Sequence, residues 1–314
     1  MKRSLMKRLP GLALVALVGL SPVQTAQACA FHGYTPNPTL VDQLLTTEQA
    51  VIARPNAAGQ YTVVDALLGP NVGDVPVTVS AAIRSQLARA PDAAVLLARD
   101  GAYGPWMEIA VLDSQFRRVV ETVMQNQTAW QLGQESSRIK LFAALANDPN
   151  PNIQRLALQE LDRLPYAVLK DVRVPSIRDL LKDIEAGKTD ERPIRILLAG
   201  LSNDRRFGPV LADALHQAVL ADKSYLGAYV TALIELQGKP AVEAIITHYL
   251  LDGSVPRSVQ EKLLDALALQ YKTARGATRR TIARDVAALV RQKPEMAEIV
   301  TAQFGPQVSG RLLR

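Results

Sequence analysis

The sequence is short of the residues from which metal centres and disulfide frameworks are built. Its 314 residues include one cysteine and three histidines, and aromatic side chains make up 5%. A single cysteine excludes an internal disulfide framework, and three histidines leave little material for a zinc site made entirely by the protein. Beyond the first 28 residues, no stretch approaches the roughly 18 uninterrupted apolar residues of a membrane-spanning helix. We therefore expect no integral membrane span in the mature chain.

The chain also carries little net charge once its N-terminal segment is set aside. The chain has 36 Lys and Arg against 30 Asp and Glu, a formal net charge of +6. Four of these basic residues, Lys2, Arg3, Lys7 and Arg8, lie in the first 28 residues, which hold no acid. Without that segment 32 basic and 30 acidic residues are left, a net charge of +2. The net charge therefore gives no support to binding of nucleic acid or of an anionic membrane.

The N-terminal segment has the pattern of a secretory signal peptide. Its basic start is followed by an apolar run over residues 12–20, which is too short to span a bilayer. Ala26, Gln27 and Ala28 then form the small-x-small pattern that signal peptidase requires. We expect residues 1–28 to be removed and the mature protein to be exported, most simply to a bacterial periplasm.

Cleavage after Ala28 makes Cys29 the first mature residue, and three roles for it stay open. A lipoprotein cysteine also becomes a new N-terminus, so Cys29 is a candidate for lipidation. Alternatively, its amine and thiolate close a five-membered chelate ring and, with His32, bind Cu(I) or Zn(II), which thiolate ligands favour. Two or three donors make an incomplete site that a partner or second chain has to finish. The third alternative is a thiol without a functional role.

Residues 29–134 predict a small module of mixed helices and strands. Asn37 and Pro38 resemble the cap and first position of a short helix, and a polar stretch over residues 125–133 predicts a linker that ends the module. The expected strands are Val51–Ala53, Tyr61–Leu67, Val75–Val79, Ala94–Ala98 and Trp106–Leu112, and two further helices are expected over residues 81–90 and 114–125. Pro76 cannot donate a ladder hydrogen bond, which favours an edge position for the third strand.

The strand order resembles the small netrin-like, OB-type β-barrels. The matching residues are Cys29 at the start, the strand Val51–Ala53, then Tyr61, Val63 and Gly69. This resemblance implies a β-barrel with a ligand-binding face. The alternative is an α/β module without barrel closure.

From residue 135 onward the pattern is helical throughout, and the segment 141–161 resembles a HEAT repeat. Asp148 and Pro149 form its turn, and Ala157 is the small residue that lets a neighbouring helix approach closely. Further helix pairs are expected at 194–201 with 210–215, at 229–236 with 241–250, and at 259–269 with 281–290. The resemblance implies an α-solenoid over residues 135–314 whose concave surface binds a partner.

A search for catalytic motifs finds no nucleophile elbow, phosphate-binding loop or zinc-protease helix. His216 and His248 lie in predicted helices, where surface roles are the commonest, and no cofactor other than Cu or Zn is indicated. The marked basic patch is Lys272, Arg275, Arg279, Arg280 and Arg284, which is either a binding surface for an acidic partner or a solvated helix face.

The sequence therefore predicts an α+β protein: a small N-terminal α/β or β-barrel module, residues 29–134, followed by an all-α HEAT-like solenoid, residues 135–314. The favoured function is that of an exported, non-enzymatic interaction or scaffold protein whose partner is another exported protein. The alternative function is metal handling through Cys29 and His32.

Overall fold

A computed structural model describes residues 37–101, 103–174, 180, 191–221, 225–306 and 309–310. In these residues an antiparallel sheet precedes a long series of helices, which confirms the α+β class. The strands are β1 Gln49–Pro55, β2 Tyr61–Leu68, β3 Asp74–Val75, β4 Ala94–Arg99 and β5 Met107–Leu112. Helices of the sheet module are α1 Leu40–Thr46, α2 Ala81–Leu87 and α3 Ser114–Gln131. Those that follow are α4 Glu135–Leu145, α5 Pro151–Asp162, α6 Tyr166–Leu169, α7 Arg192–Leu201, α8 Phe207–Leu220, α9 Leu226–Gln237, α10 Lys239–Ile245 (continued by a π-helical turn, Ile246–Leu250), α11 Arg257–Thr273, α12 Gly276–Gln292 and α13 Ala297–Phe304.

The sheet is open. Its strand order is β3-β2-β1-β4-β5 and each neighbouring pair is antiparallel. Because β3 and β5 lie at opposite edges, the described strands do not close into the barrel that the netrin-like resemblance implied. Four of the five predicted strands are present. The third, predicted over Val75–Val79, is wrong beyond its first residue, because β3 is Asp74–Val75 and ends before Pro76, which cannot donate a ladder hydrogen bond. The edge position predicted for this strand is confirmed.

Both faces of the sheet are buried. Side chains alternate along β1 and β4, so one face carries Ala50, Ile52, Ala94 and Leu96 and the other carries Val51, Ala53, Val95 and Leu97. The first face packs against α1 and α3, and the second packs against Ile83 of α2. A strand that is covered on both faces has apolar side chains on both faces. This explains the uninterrupted apolar runs of β1 and β4.

Two boundaries of the sheet module differ from the sequence prediction. The cap of α1 is Thr39, not Asn37, because Thr39 and Asp42 form a reciprocal capping box. The segment 125–133 is not a linker, since α3 continues to Gln131. Its apolar face extends to Trp130, which is 3% exposed, and the Gln127 amide donates to the carbonyl of Leu44 at 3.0 Å. The residues on the solvated face of α3 are polar, and for this reason the sequence of this segment resembled a linker.

The helix pairs predicted beyond residue 135 are all helical in the structure. Alternate helices α5, α7, α9, α11 and α13 contact one another in sequence, while α10 contacts α12. The central helix is α9, which is buried from Leu226 to Ile234. It approaches α7 so closely that a Cβ atom on Gly200 would lie 2.4 Å from the Cα of Ala232. Glycine at that position sets the spacing of the two helices.

The helix pair α4 and α5 contributes to two apolar cores. Phe142, Ile153 and Ala157 pack with the sheet module, whereas Leu158 and Leu161 pack with the later helices. The predicted boundary at residue 134 coincides with the short connection between α3 and α4. Helices on both sides of that connection therefore share one core.

Candidate functional site

The predicted basic patch lies where α11 meets α12. Lys272 is in the last turn of α11, Arg275 is the N-cap residue of α12, and Arg279 and Arg280 are in the first turns of α12. Arg284 follows one turn later. Gly276 begins the helix with a φ of +61°, a conformation that glycine adopts readily, and this turns the chain sharply between the two helices. All five basic side chains are exposed, and we call them the basic cluster.

The members of the basic cluster differ in their partners. Arg284 is paired, since its guanidinium lies 2.5 Å from Asp285 and 3.1 Å from Glu243. These carboxylates raise its pKa, the hydrogen bond from Asp285 being the largest cause. The Arg279 guanidinium lies 4.7 Å from the centre of the Tyr271 ring. No ion pair of Lys272, Arg275, Arg279 or Arg280 occurs with any residue that the structure describes.

The position of the cluster on α12 is electrostatically unfavourable for the helix. A helix N-terminus carries the positive end of the helix dipole and favours acidic side chains. The first turn of α12 has no acidic residue and no side-chain cap, and three arginines surround it instead. Because these charges do not stabilise the helix, the cluster is well placed to attract a negatively charged group.

The predicted metal ligands Cys29 and His32 lie outside the described residues. Within the part of the chain that is described, no group of three or more His, Cys, Asp or Glu side chains is close enough together to hold a metal ion. The other two histidines, His216 of α8 and His248 in the π-helical turn after α10, are exposed. The His216 ring lies beside that of Tyr249, with the two ring centres 6.4 Å apart.

A charged network that sequence reasoning missed joins the sheet module to the helices. The Arg138 guanidinium donates to Glu160 at 2.7 Å and to Asp42 at 2.9 Å. Thr39 donates its hydroxyl hydrogen to Glu160, and Arg163 donates to Asp42. Arg138 and Glu160 are buried, with side chains 11% and 4% exposed. We call these five residues the charged network.

A second buried polar group lies among the later helices. Glu235 accepts hydrogen bonds from the Tyr166 hydroxyl at 2.8 Å, the Lys170 ammonium at 3.0 Å and the Gln270 amide at 3.3 Å. Burial, followed by the Glu235 charge, raises the pKa of Tyr166 well above its ordinary value. The three donors come from α6, the residue after it and α11, so this group ties α6 to α9 and α11.

Two tyrosines at the start of α9 are packing residues and do not line an open surface. Tyr225 and Tyr229 are each 5% exposed, and their rings lie 5.9 Å apart. Burial and the neighbouring Tyr225 raise the pKa of Tyr229 to about 12, although Arg192 opposes the shift. At neutral pH the Tyr229 hydroxyl is therefore protonated, and the Tyr225 hydroxyl accepts a hydrogen bond from Arg192 at 2.9 Å.

Comparison with known proteins identifies no relative: no family model matches the chain, and no curated protein or solved structure does so. Among the described residues, no helix is long and apolar enough to cross a membrane. Any statement about function therefore depends on the residues and contacts themselves.

Proposed function

We propose that this chain is an exported, non-enzymatic interaction protein of the bacterial periplasm, and that the basic cluster binds an acidic segment of another exported protein. The observation that carries this proposal is the placement of three exposed arginines, none of them in an ion pair with a described residue, at the unfavourable end of α12 beside Lys272. Charges that weaken a helix without compensation are typical of functional positions. An exposed cationic surface of this kind is accessible to an extended acidic polypeptide.

The architecture proposed for residues 135–314 is a HEAT-like solenoid. It is supported by the order of helix contacts, in which α7, α9 and α11 pack side by side while α10 packs on α12. In such an array every helix pair touches its neighbours and leaves long surfaces open to a partner. The basic cluster lies at the turn between two adjacent helices of this array.

The test uses a fluorescent glutamate-rich peptide and measures binding by anisotropy. We expect wild-type protein to bind the peptide with an affinity that falls as salt rises, because exposed charges are screened. Arg275→Glu with Arg280→Glu is expected to weaken binding at least tenfold. Arg275→Glu also places an acid at the N-cap of α12 and should by itself stabilise the protein by about 0.3–1 kcal/mol.

Arg205 provides the matched control, since it is exposed and lies outside the basic cluster, just before α8. Arg205→Glu changes the net charge by as much as each substitution in the basic cluster does. It should leave the affinity for the peptide within about twofold of wild type. Equal loss of binding in the control and cluster variants would show that net charge alone attracts the peptide and would overturn the proposal.

The alternative proposal is metal handling at the mature N-terminus. It depends on a sequence observation: the lone thiol, one of three histidines and the new α-amine fall within four residues. The test is a titration of reduced, mature protein with Cu(I) or Zn(II) against a chromogenic chelator. Cys29→Ser should lose most of the affinity and His32→Ala part of it, whereas His216→Ala is the matched control. Equal weak binding by all four proteins would contradict this alternative.

A further inference from the structure

A cavity of about 380 Å³ lies beside the charged network, between α4, α5 and α6. Much of its wall is apolar, formed by Ile139, Phe142, Leu161, Leu164, Pro165 and Val168. Phe142 and Leu161 are buried, whereas Val168 is 39% exposed at the surface. The volume is within the range of small-molecule binding sites, which are mostly apolar with a few placed polar groups.

The polar wall of the cavity includes the guanidinium side chains of Arg138 and Arg163. Arg138 uses Nε and one terminal nitrogen in its bonds to Glu160 and Asp42. Arg163 uses one terminal nitrogen in its bond to Asp42. A guanidinium has five N–H donors, so each arginine keeps N–H groups that donate to no described residue. The unused hydrogen-bonding capacity beside the cavity is thus mainly that of donors.

The acidic side chains of the network are more fully occupied. Glu160 accepts from Thr39 through one carboxylate oxygen and from Arg138 through the other. Asp42 likewise accepts from Arg138 and Arg163 through its two oxygens. The two arginines therefore balance two carboxylates, and the remaining lining acid, Glu135, is exposed to solvent at the start of α4. Burial also lowers the pKa of Arg163, because the protein around the charged guanidinium solvates it less well than water does.

We propose that this cavity binds a small organic acid with an apolar body. The carboxylate accepts hydrogen bonds from the free N–H groups of Arg163 and Arg138, which suit the geometry of a carboxylate. The apolar body lies against Ile139, Phe142 and Leu164, where its removal from water supplies the driving force. This site is separate from the basic cluster, so it stands independently of the function proposed above.

Octanoate is a suitable probe, with octanol and octylamine as matched ligands of the same chain length. Isothermal titration of the full mature protein should show octanoate binding at least tenfold tighter than either comparison ligand. Arg163→Gln should weaken octanoate binding by about tenfold, because it removes a charge-assisted hydrogen bond. Leu164→Trp should abolish binding by filling the cavity. Arg205→Gln, outside the cavity, should bind octanoate as wild type does.

Val168→Trp at the exposed mouth of the cavity provides a second blocking variant that does not depend on a buried substitution. Circular dichroism and thermal melting verify that each variant is folded before it is titrated. Tighter binding of octylamine, equal binding of octanol, or no octanoate binding by wild type would each overturn the proposal. Octanoate binding that is unchanged in both Arg163→Gln and Val168→Trp would overturn it as well.

Discussion

At the scale of single residues, Glu160 of α5 is the buried carboxylate that joins α4 to the segment before α1. It is nearly fully buried and accepts hydrogen bonds from Arg138 in α4 and from Thr39 before α1. A buried ion pair gives little net stability against an apolar replacement, but loss of one partner leaves a buried charge uncompensated. Glu160 therefore controls whether the Arg138 guanidinium can stay buried.

We predict that Glu160→Gln destabilises the protein by about 2 kcal/mol or more, since Arg138 keeps only Asp42 as a charged partner. Urea denaturation measures this change in the free energy of unfolding. The matched control is Glu298→Gln, which removes a carboxylate that is 82% exposed from its pair with Arg257. That variant should stay within about 1 kcal/mol of wild type. Similar losses in both variants would show that burial of the network is unimportant.

Glu108 is a second residue whose charge depends on its surroundings. Burial would raise its pKa, but hydrogen bonds from Ser80 and Tyr61 outweigh this and hold the pKa below its ordinary value of 4.5. The Ser80 amide donates at 2.9 Å to the same carboxylate oxygen that accepts from Tyr61. A carboxyl with a lowered folded-state pKa stabilises the fold above its unfolded-state pKa, and this contribution is lost as pH falls through the folded-state value.

We predict that Glu108→Gln lowers the stability of the protein at pH 7. Below about pH 4.5 the variant should lose less stability with falling pH than wild type does. Thermal melting of wild type and variant from pH 7 to pH 3 measures both effects. Glu295→Gln, which changes an exposed carboxyl, is the control and should follow the wild-type curve. If the melting temperatures of Glu108→Gln and wild type changed in parallel across this pH range, the proposed contribution of the Glu108 carboxylate to stability would be contradicted.

At the scale of helices and strands, Ala157 belongs to the apolar core that α5 shares with the sheet module. It is 0% exposed and packs in the same core as Phe142 and Ile153. Asn150 caps α5 by accepting from the amides of Asn152 and Ile153, and its amide donates to Asp113, the cap of α3, at 2.6 Å. The two helix starts are thus held together beside the apolar contact.

We predict that Ala157→Asp destabilises the protein by about 3 kcal/mol or more, because it buries a carboxylate without a partner. Differential scanning calorimetry provides the measurement. Ala212→Asp makes the same change at an exposed position of α8 and should lower the melting temperature only slightly. A wild-type melting temperature for Ala157→Asp would show that α5 does not pack as described.

At the scale of the whole molecule, the sheet module and the helical array are continuous through α4 and α5. The charged network lies on this connection, and the cavity proposed to bind an organic acid is beside it. The basic cluster lies elsewhere, at the turn between α11 and α12. A molecule of this organisation has two separate surfaces on which binding is proposed, one a largely apolar cavity with an exposed mouth and the other an exposed charged surface.

We predict that the chain is exported and that the mature protein begins at Cys29. Intact mass and N-terminal sequencing of protein from the periplasmic fraction measure the cleavage site and any lipid together. Ala28→Pro, next to the predicted bond, should block processing, while Ala30→Ser should be cleaved normally. A cytoplasmic chain that retains Met1 would contradict the compartment assignment and the proposals made for Cys29.

The basic cluster was recognisable from the sequence because its residues are close together along the chain. The charged network was not, since Thr39 and Glu160 are 121 residues apart and Asp42 and Arg138 are 96 apart. Nothing in the neighbourhood of any one of these residues marks its partner. The cavity beside the network was equally hidden, because helices α4, α5 and α6 form it only when packed.

The sequence by itself determined the elements of this protein: the strands, the helix pairs and the α+β order follow from apolar periodicities that act over a few residues. The tertiary structure decided that the sheet is open, because strand pairing brings β4 beside β1 and leaves β3 and β5 at the edges. It also decided that α3 continues through a polar stretch, since Gln127 and Trp130 find partners in other elements. Local patterns specify which elements form, whereas contacts between distant residues specify which surfaces meet and which polar groups are buried together.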